Sequence, residues 1–385
     1  MSPARPRSRD LGLEIGTLPS GPLDAITDVA GVRVGSVTLV HGDGPLRRGA
    51  GPVRTGVTVV VPHEGRVFDE PLFAGCHRLN GNGELTGLEW IRESGRLTTP
   101  IGLTNTHSVG VVRDALVAAG VAERDERELF WSLPVVGETW DGLLNDINGF
   151  HVRPSHVHQA LAHAAGGPVV EGAVGSGTGM ICHGFKGGLG TASRVVPQAS
   201  GGWTVGVLVQ ANHGRRERLT VAGRPVGRHL GPDVVPLPEG GVLGAGSIIV
   251  LCATDAPLLP HQCTRLAQRC ALGVARTGGV GEHWSGDLML AFSTARQALP
   301  RSEAGSTGEP VTVPVTMLVD THLDPLFDAA VEATEAAIVN ALLAAETMTG
   351  RDGVVAHGLD AEVLLDALRR LGPGSPPRGF AEPRA

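Results

Sequence analysis

Four short stretches of the sequence hold residue types able to do acyl chemistry. At Gly246-Ser247 a glycine-rich loop, PEGGVLGAG, runs straight into the apolar stretch SIIVLCAT. A serine heading a strand behind a glycine can attack the Gly246 carbonyl, because glycine tolerates a bent backbone and leaves that carbonyl unshielded. The amide would rearrange to an ester, and water would free a serine carrying its own α-amine. With a reference pKa of about 7.7–8.0, that amine can serve as base for its own hydroxyl near neutral pH. A Gly-Ser pair before an ordinary strand looks the same. Ser285-Gly286-Asp287 puts a hydroxyl and a carboxylate two residues apart, so Asp287 can orient Ser285; taken alone, the pattern is a turn signal. Asn212, in QANHG at a strand end, can donate its amide to a developing oxyanion, a role worth ~2.7–4 kcal/mol in another enzyme, or it can simply supply turn conformation. Glu138 and Trp140, in GETWDG, suit a substrate ammonium through charge pairing and ring-face attraction. The plain alternative is a solvated Glu beside an aromatic at the edge of the core.

Other stretches imitate sites. GAVGSGTGM at 172–180 follows Pro168-Val169-Val170, yet it fits neither G-x-G-x-x-G nor a P-loop with its Lys-Ser/Thr. It reads as a tight turn or a donor-rich pocket wall. The histidines at 151, 156, 158 and 163 lack an H-E-x-x-H arrangement, and His156 and His158 would diverge on a helix. They are expected at a surface or interface, with no metal and no cofactor. The five cysteines, at 76, 182, 252, 263 and 270, include no Cys-x-x-Cys pair, which suggests a reducing compartment. Cys263 and Cys270 fall in register with Leu259 and Leu266, as small core residues do. There is no Tyr anywhere, so no phenol takes part in any mechanism.

These residues need elements to hold them. The spacing predicts strands at Val57–Val61, Ile101–Thr104, Trp203–Gln210, Ile248–Ala253, Leu288–Phe292 and Val311–Val319. It predicts helices at Glu84–Glu93, Val109–Ala119, His156–Ala164, Leu258–Val274 and Pro325–Thr349. In the last, Asp324 is the expected cap, Gly350 the stop, and Phe327, Val331, Ile338 and Leu342 share a face. Interspersed strands and helices argue for an α/β layered fold. The 56 glycines among 385 residues, roughly twice the usual share, imply many tight turns and close backbone approaches. Residues 214–246, with five arginines and four prolines, read as an irregular loop, exposed on composition alone.

Residues 1–10 and 372–385 read as flexible tails. A formal charge of -7 and a pI near 6.1 argue against nucleic-acid binding. Without a signal-peptide or membrane-span pattern, the cytoplasm is the default expectation.

Together, the stretches carry a resemblance that no single spacing does. CHRLNGNGELTGLEWI (76–91), TNTHSVGVVRDA (104–115), GETWDGLLNDINGFHV (137–152), EGAVGSGTGMICHGFKGGLGTASR (171–194), VLVQANHG (207–214), the block opening GSIIVLCATDAPLL at 246, and SGDLMLAFSTA (285–295) are similar to the DmpA-type L-aminopeptidase/D-esterase and β-aminopeptidase family of self-processing serine peptidases. The similarity runs in order from about residue 10 to 355.

That resemblance implies an αββα sandwich like that of N-terminal nucleophile hydrolases, wired differently. It implies one domain, 1–385, cut after Gly246 into an α chain (1–246) and a β chain (247–385), with the heterodimers assembling as a tetramer. Carried across, Ser247 is the nucleophile, Ser285 and Asp287 support it, Asn212 stabilises the oxyanion and Glu138 holds the substrate amine. Short peptides, amino acid amides or esters are the implied substrates. Trp140 departs from the family, whose aminopeptidases place a Tyr there; an indole N–H donates but cannot accept or shuttle a proton. Two rivals are an acyltransferase related to ornithine acetyltransferases, which self-cleave before Thr in a different motif, and a non-catalytic relative.

Overall fold

Long apolar runs make this chain a stack of two sheets. A computed structural model describes residues 5–241, 246–301 and 310–372. The first sheet has four strands, β1 (Arg33–His41), β2 (Val53–Val61), β5 (Ile101–Asn105) and β6 (Val135–Thr139), in the order β1-β2-β5-β6. The second has six: β3 (Leu72–Gly81), β4 (Arg96–Leu97), β9 (Gly188–Val195), β10 (Thr204–Asn212), β11 (Ser247–Thr254) and β12 (Gly286–Ser293). Their order is β4-β3-β12-β11-β10-β9, antiparallel except for β11–β12. Ribbons β7 (Ile181–Cys182) with β8 (Phe185–Lys186), and β13 (Met348–Thr349) with β14 (Val355–Ala356), are short additions.

The core lies in three layers, and side-chain alternation builds them. Along β11, Ile249, Leu251 and Ala253 join Val60, Ile101, Leu103 and Val135 between the sheets. The intervening Ile248, Val250 and Cys252 face the other way, onto α4 (Pro260–Arg276) and α5 (Asp324–Ala344). Helices α2 (Val109–Ala122) and α3 (Pro154–Ala162) cover the outer face of the four-stranded sheet through Val112, Leu116, Val157 and Ala160. The result is the expected αββα sandwich. Two smaller helices, α1 (Leu88–Ser94) and α6 (Ala361–Arg370), pack at the edges.

Because β11 is buried on both faces, its sequence reads as an unbroken apolar run, not as an alternation. Helix α5 is buried on nearly every side. Its Ala337 and Ala341 lie so close to β9 that a Cβ on Gly190 would fall 2.0 Å from the Ala337 carbonyl oxygen. Only glycine fits there.

Several expectations need correcting. Residues 311–319 form no strand; they run extended and mostly exposed, joined to the body by the Leu318 N–H on Pro257 and the Gln297–Thr316 pair. Helix α1 begins at Leu88 and not at Glu84, because Glu84 and Leu85 turn aside, the first to donate to Glu138 and the second to bridge Gly137. Helix α5 starts at Asp324 without a side-chain cap and stops at Ala344, short of Gly350.

The N-terminus is not loose from residue 5 onward: Arg7 pairs with Glu171 at 2.7 Å, and Ser8 donates twice to the Asn340 amide oxygen. The 373–385 part of the other predicted tail lies outside the described residues. Nor is the stretch from 214 an exposed loop, since Leu219, Val221, Val226 and Leu230 are buried against the helix-side core. All five cysteines are buried and unpaired, Cys263 and Cys270 in that same core.

Candidate active site

Strand register brings Ser247 and Asn212 together. Ser247 is the first residue of β11 and lies opposite Asn212, the last of β10. Both share the parity of the side chains that point between the sheets, such as Ile249 and Leu208. The Ser247 hydroxyl accepts the Gly286 N–H at 2.9 Å, because β12 begins at Gly286 beside the start of β11. One residue earlier, Ser285 donates its hydroxyl to Asp287 at 2.5 Å, and both side chains are buried. Burial pushes the Asp287 carboxyl from an ordinary 3.8 up to about 6; Ser285's bond pulls it back down, and Glu282 adds to the rise.

Asn212 is held at both ends of its amide. Oδ1 accepts the Ile181 N–H at 2.7 Å, and Nδ2 donates to the Trp140 carbonyl at 2.9 Å. One Nδ2 hydrogen remains. Just upstream of Ser247, Gly246 has φ +147, and a Cβ there would sit 1.9 Å from the Asn212 carbonyl oxygen. No other residue type fits this turn without moving the end of β10.

Glu138 comes from the opposite sheet. One carboxylate oxygen accepts the Glu84 N–H at 2.9 Å, and the other accepts the Thr106 hydroxyl. Burial raises its pKa; the Thr106 and Glu84 bonds oppose that rise. Trp140, two residues on, is 45% exposed, with Gly142 packed against its indole. These groups line one cavity of about 890 Å³, with Ser247 and Asn212 on its wall. Ser285 and Asp287 stand behind that wall, reached through the Gly286 N–H.

The cavity also holds residues that the sequence reading gave no role: Glu84, Thr106, Leu143, Arg215 and Trp284. Glu84 and Thr106 lie in the NGNGELTG and TNTHS stretches already quoted, and only the cross-sheet bonds to Glu138 single them out. The 172–180 stretch makes a tight turn at Gly175–Gly177 whose N–H groups are spent within the protein, Gly175's on Thr38 and Ser176's on Thr58, and it reaches the cavity wall only at Gly179.

Among the histidines questioned for metal, His151 bonds Asp146 at 2.9 Å, and His156 and His158 lie on α3. A different buried group, Cys182, His183 and His213, offers three ligand atoms within 4.8 Å of one another. Burial pushes the Cys182 thiol up to about 12 and the His213 imidazole well down. Neutral thiol against neutral imidazole, 3.8 Å apart, is therefore the favoured state.

The chain matches the model of peptidase family S58 over residues 24–356. A beta-peptidyl aminopeptidase from Sphingosinicella microcystinivorans is 50% identical over 379 residues, covering 95% of this chain and 93% of the relative. A Burkholderia sp. beta-aminopeptidase superposes with a TM-score of 0.89 at 56% identity, over 96% of this chain and 100% of that one. The L-aminopeptidase D-Ala-esterase/amidase of Ochrobactrum anthropi, described as a new variant among the Ntn hydrolase fold, gives 0.86 at 45% identity over 96% and 99%. The chain therefore belongs to peptidase family S58 and is an aminopeptidase, a hydrolase on that variant fold.

Proposed function

We propose that this protein is a self-processing serine aminopeptidase acting through an acyl-enzyme on Ser247. One observation carries the reading: the hydroxyl that opens β11 faces the same cavity as the Asn212 amide and a buried carboxylate from the other sheet. In the first step the Ser247 Oγ adds to the Gly246 carbonyl and the C–N bond breaks. Water then hydrolyses the ester, leaving a Gly246 carboxylate and a Ser247 α-amine. In turnover, Oγ attacks the carbonyl of the substrate's N-terminal residue while its proton passes to that amine or through Ser285, which Asp287 orients. Asn212 and backbone N–H groups bear the oxyanion. The leaving amine or alcohol takes up the proton, and water cleaves the acyl-enzyme. Glu138, fixed by Thr106 and Glu84, binds the substrate ammonium and makes the enzyme exo-acting.

The two relatives named for β-peptides support a β-aminoacyl preference, with short peptides, amides and esters as substrates. No helix among the described residues is long and apolar enough to cross a membrane. Buried, unpaired cysteines support a reducing compartment, the cytoplasm in this reading. The αβ units assemble as a tetramer, which light scattering on eluted material tests directly.

Intact mass and a denaturing gel test the core of the proposal. Wild-type protein should separate into fragments 1–246 and 247–385, and Ser247→Ala should stay at 39.7 kDa without turnover. A fully active, uncut wild-type chain defeats the proposal.

A further inference from the structure

Beyond Asn212 the chain turns along the cavity and delivers two arginines, Arg215 and Arg216. Arg216 aims its guanidinium at four backbone carbonyls, of His183, Gly184, Leu230 and Val235, and lies 3.3 Å over the Phe185 ring. Arg215 is pinned through its backbone, where its carbonyl accepts the His183 Nδ1–H at 3.0 Å. Its side chain has no hydrogen-bonding or ionic partner among the described residues, and its Nε is buried and unsatisfied. Glu282, which faces this turn, is already paired with Arg218 at 2.9 Å. Two arginines thus flank the cleft, the Arg216 guanidinium held by carbonyls, with no carboxylate among the described residues against either. Arg215 lines the cavity without an acidic partner among the described residues, and a guanidinium so placed suits a carboxylate through charge-assisted hydrogen bonds.

Sheet order says which part of a ligand arrives there. The neighbours run β3, β12, β11, β10. Glu84, which positions Glu138, follows β3, Ser247 opens β11, and Arg215 follows β10. A Cβ on Gly83 would meet both the Glu138 carboxylate, at 3.1 Å, and Gly286 Cα, at 3.2 Å, so the amine end lies beside the start of β12, on one side of Ser247, while Arg215 follows β10 on the other. A substrate held by its ammonium at Glu138, with its carbonyl at Ser247, sends its leaving group toward Arg215.

We propose that Arg215 binds the α-carboxylate of a one-residue leaving group, so that free dipeptides are preferred over their amides. The inference rests on the reading of Ser247 and Glu138 given above. Arg215 here is a specificity residue: it touches the substrate remote from the reacting bond.

The test compares one dipeptide, β-aminoacyl first, as free acid and as C-terminal amide. Wild-type kcat/KM should favour the acid by about tenfold or more, the usual worth of a charge-assisted hydrogen bond. R215Q should bring the acid-to-amide ratio close to one, mainly through KM for the acid, and R215K should leave it intermediate. Raising the salt concentration should shrink the wild-type ratio. A wild-type ratio near one overturns the proposal and needs no variant to fold; so does an R215Q ratio equal to that of wild type. Failure of the underlying reading looks different. If the N-acetylated dipeptide acid is cleaved as fast as the free amine but the R215Q ratio still collapses, Glu138's role falls and Arg215's stands. If no substrate acylates Ser247, both fall.

Discussion

Replacing Asn212 separates a catalytic duty from a structural one. Its amide cannot flip, because that would set Oδ1 against the Trp140 carbonyl and Nδ2 against the Ile181 N–H. Asn212→Ala removes the spare Nδ2 hydrogen, and the loss of one such oxyanion donor lowers kcat by about 10²–10³ elsewhere. It also orphans an N–H and a carbonyl at a position only 4% exposed, at about 1–3 kcal/mol each where water cannot reach them. That lowers Tm by some degrees and leaves the chain folded at assay temperature. Asn212→Asp keeps the acceptor for Ile181 but sets a carboxylate oxygen against the Trp140 carbonyl and offers no donor. It should lose as much kcat and more stability than the alanine variant. The assay is kcat and KM on one chromogenic β-aminoacyl anilide, with Tm by scanning fluorimetry and the cleaved fraction read from a gel, so that uncut chains are not counted as slow ones. KM should stay within about threefold, as for a group that acts only in the transition state. Should fully cleaved Asn212→Ala show the drop in Tm but keep kcat within about threefold of wild type, the oxyanion assignment is wrong and Asn212 is only a strut between strands.

Gly246→Ala forces a Cβ onto the Asn212 carbonyl at a φ that side chains rarely adopt; strain of about 1–3 kcal/mol should slow or stop chain cleavage, read as the half-life of the 39.7 kDa band. Glu138→Gln keeps one of the two acceptor contacts and loses the charge, so kcat/KM for free-amine substrates should fall at least about tenfold while the rate of self-cleavage changes little; equal loss in both would mean a folding defect. Activity should rise with pH through about 6 as Asp287 ionises and accepts more strongly from Ser285. The same raised pKa means that the Asp287 contribution to stability is fully present below 3.8 and is lost as pH climbs through about 6, a difference of about 3 kcal/mol. Asp287→Asn should flatten that acid limb and, at pH 8, match or exceed wild type in Tm.

Much of this was legible because it is local. The run SIIVLCAT read as a strand from its β-branched, apolar residues behind a glycine-rich loop, and α4 announced itself by Leu259, Cys263, Leu266 and Cys270. Gly246-Ser247 was no more than one candidate by itself, since a Gly-Ser pair before an ordinary strand looks the same, and the ordered blocks of the resemblance singled it out. What escaped was long-range. Nothing near Glu84 says that its N–H will serve a carboxylate 54 residues later, so the stretch read as the start of a helix. Val311–Val319 alternates like a strand, yet it pairs with no strand among the described residues, and Val311, Val315 and Val319 end in solvent. Strands β1, β3 and β9 went unseen because glycine and polar residues interrupt them; β9 reads GLGTASRV. Its glycine at 190 answers to the helix above it and not to its own strand.

The site's position follows from two exceptions to an otherwise antiparallel design. Each sheet contains one parallel pair, β5–β6 in the first and β11–β12 in the second. A parallel pair aligns like ends, and its partners must be joined by a crossover of a dozen or more residues, usually a helix. Here α2 makes one crossing and α4 the other. The paired starts of β11 and β12 therefore set Ser247 beside Gly286, with Ser285 and Asp287 in the same turn. The paired ends of β5 and β6 set Thr106 beside Glu138. An antiparallel hairpin in either place would carry one member of each pair to the far side of its sheet, roughly a strand length of ~17–20 Å away. The same wiring explains why the nucleophile's partners are scattered in sequence over residues 84 to 287 while they gather at a single cavity, most on its wall and Ser285 and Asp287 behind it.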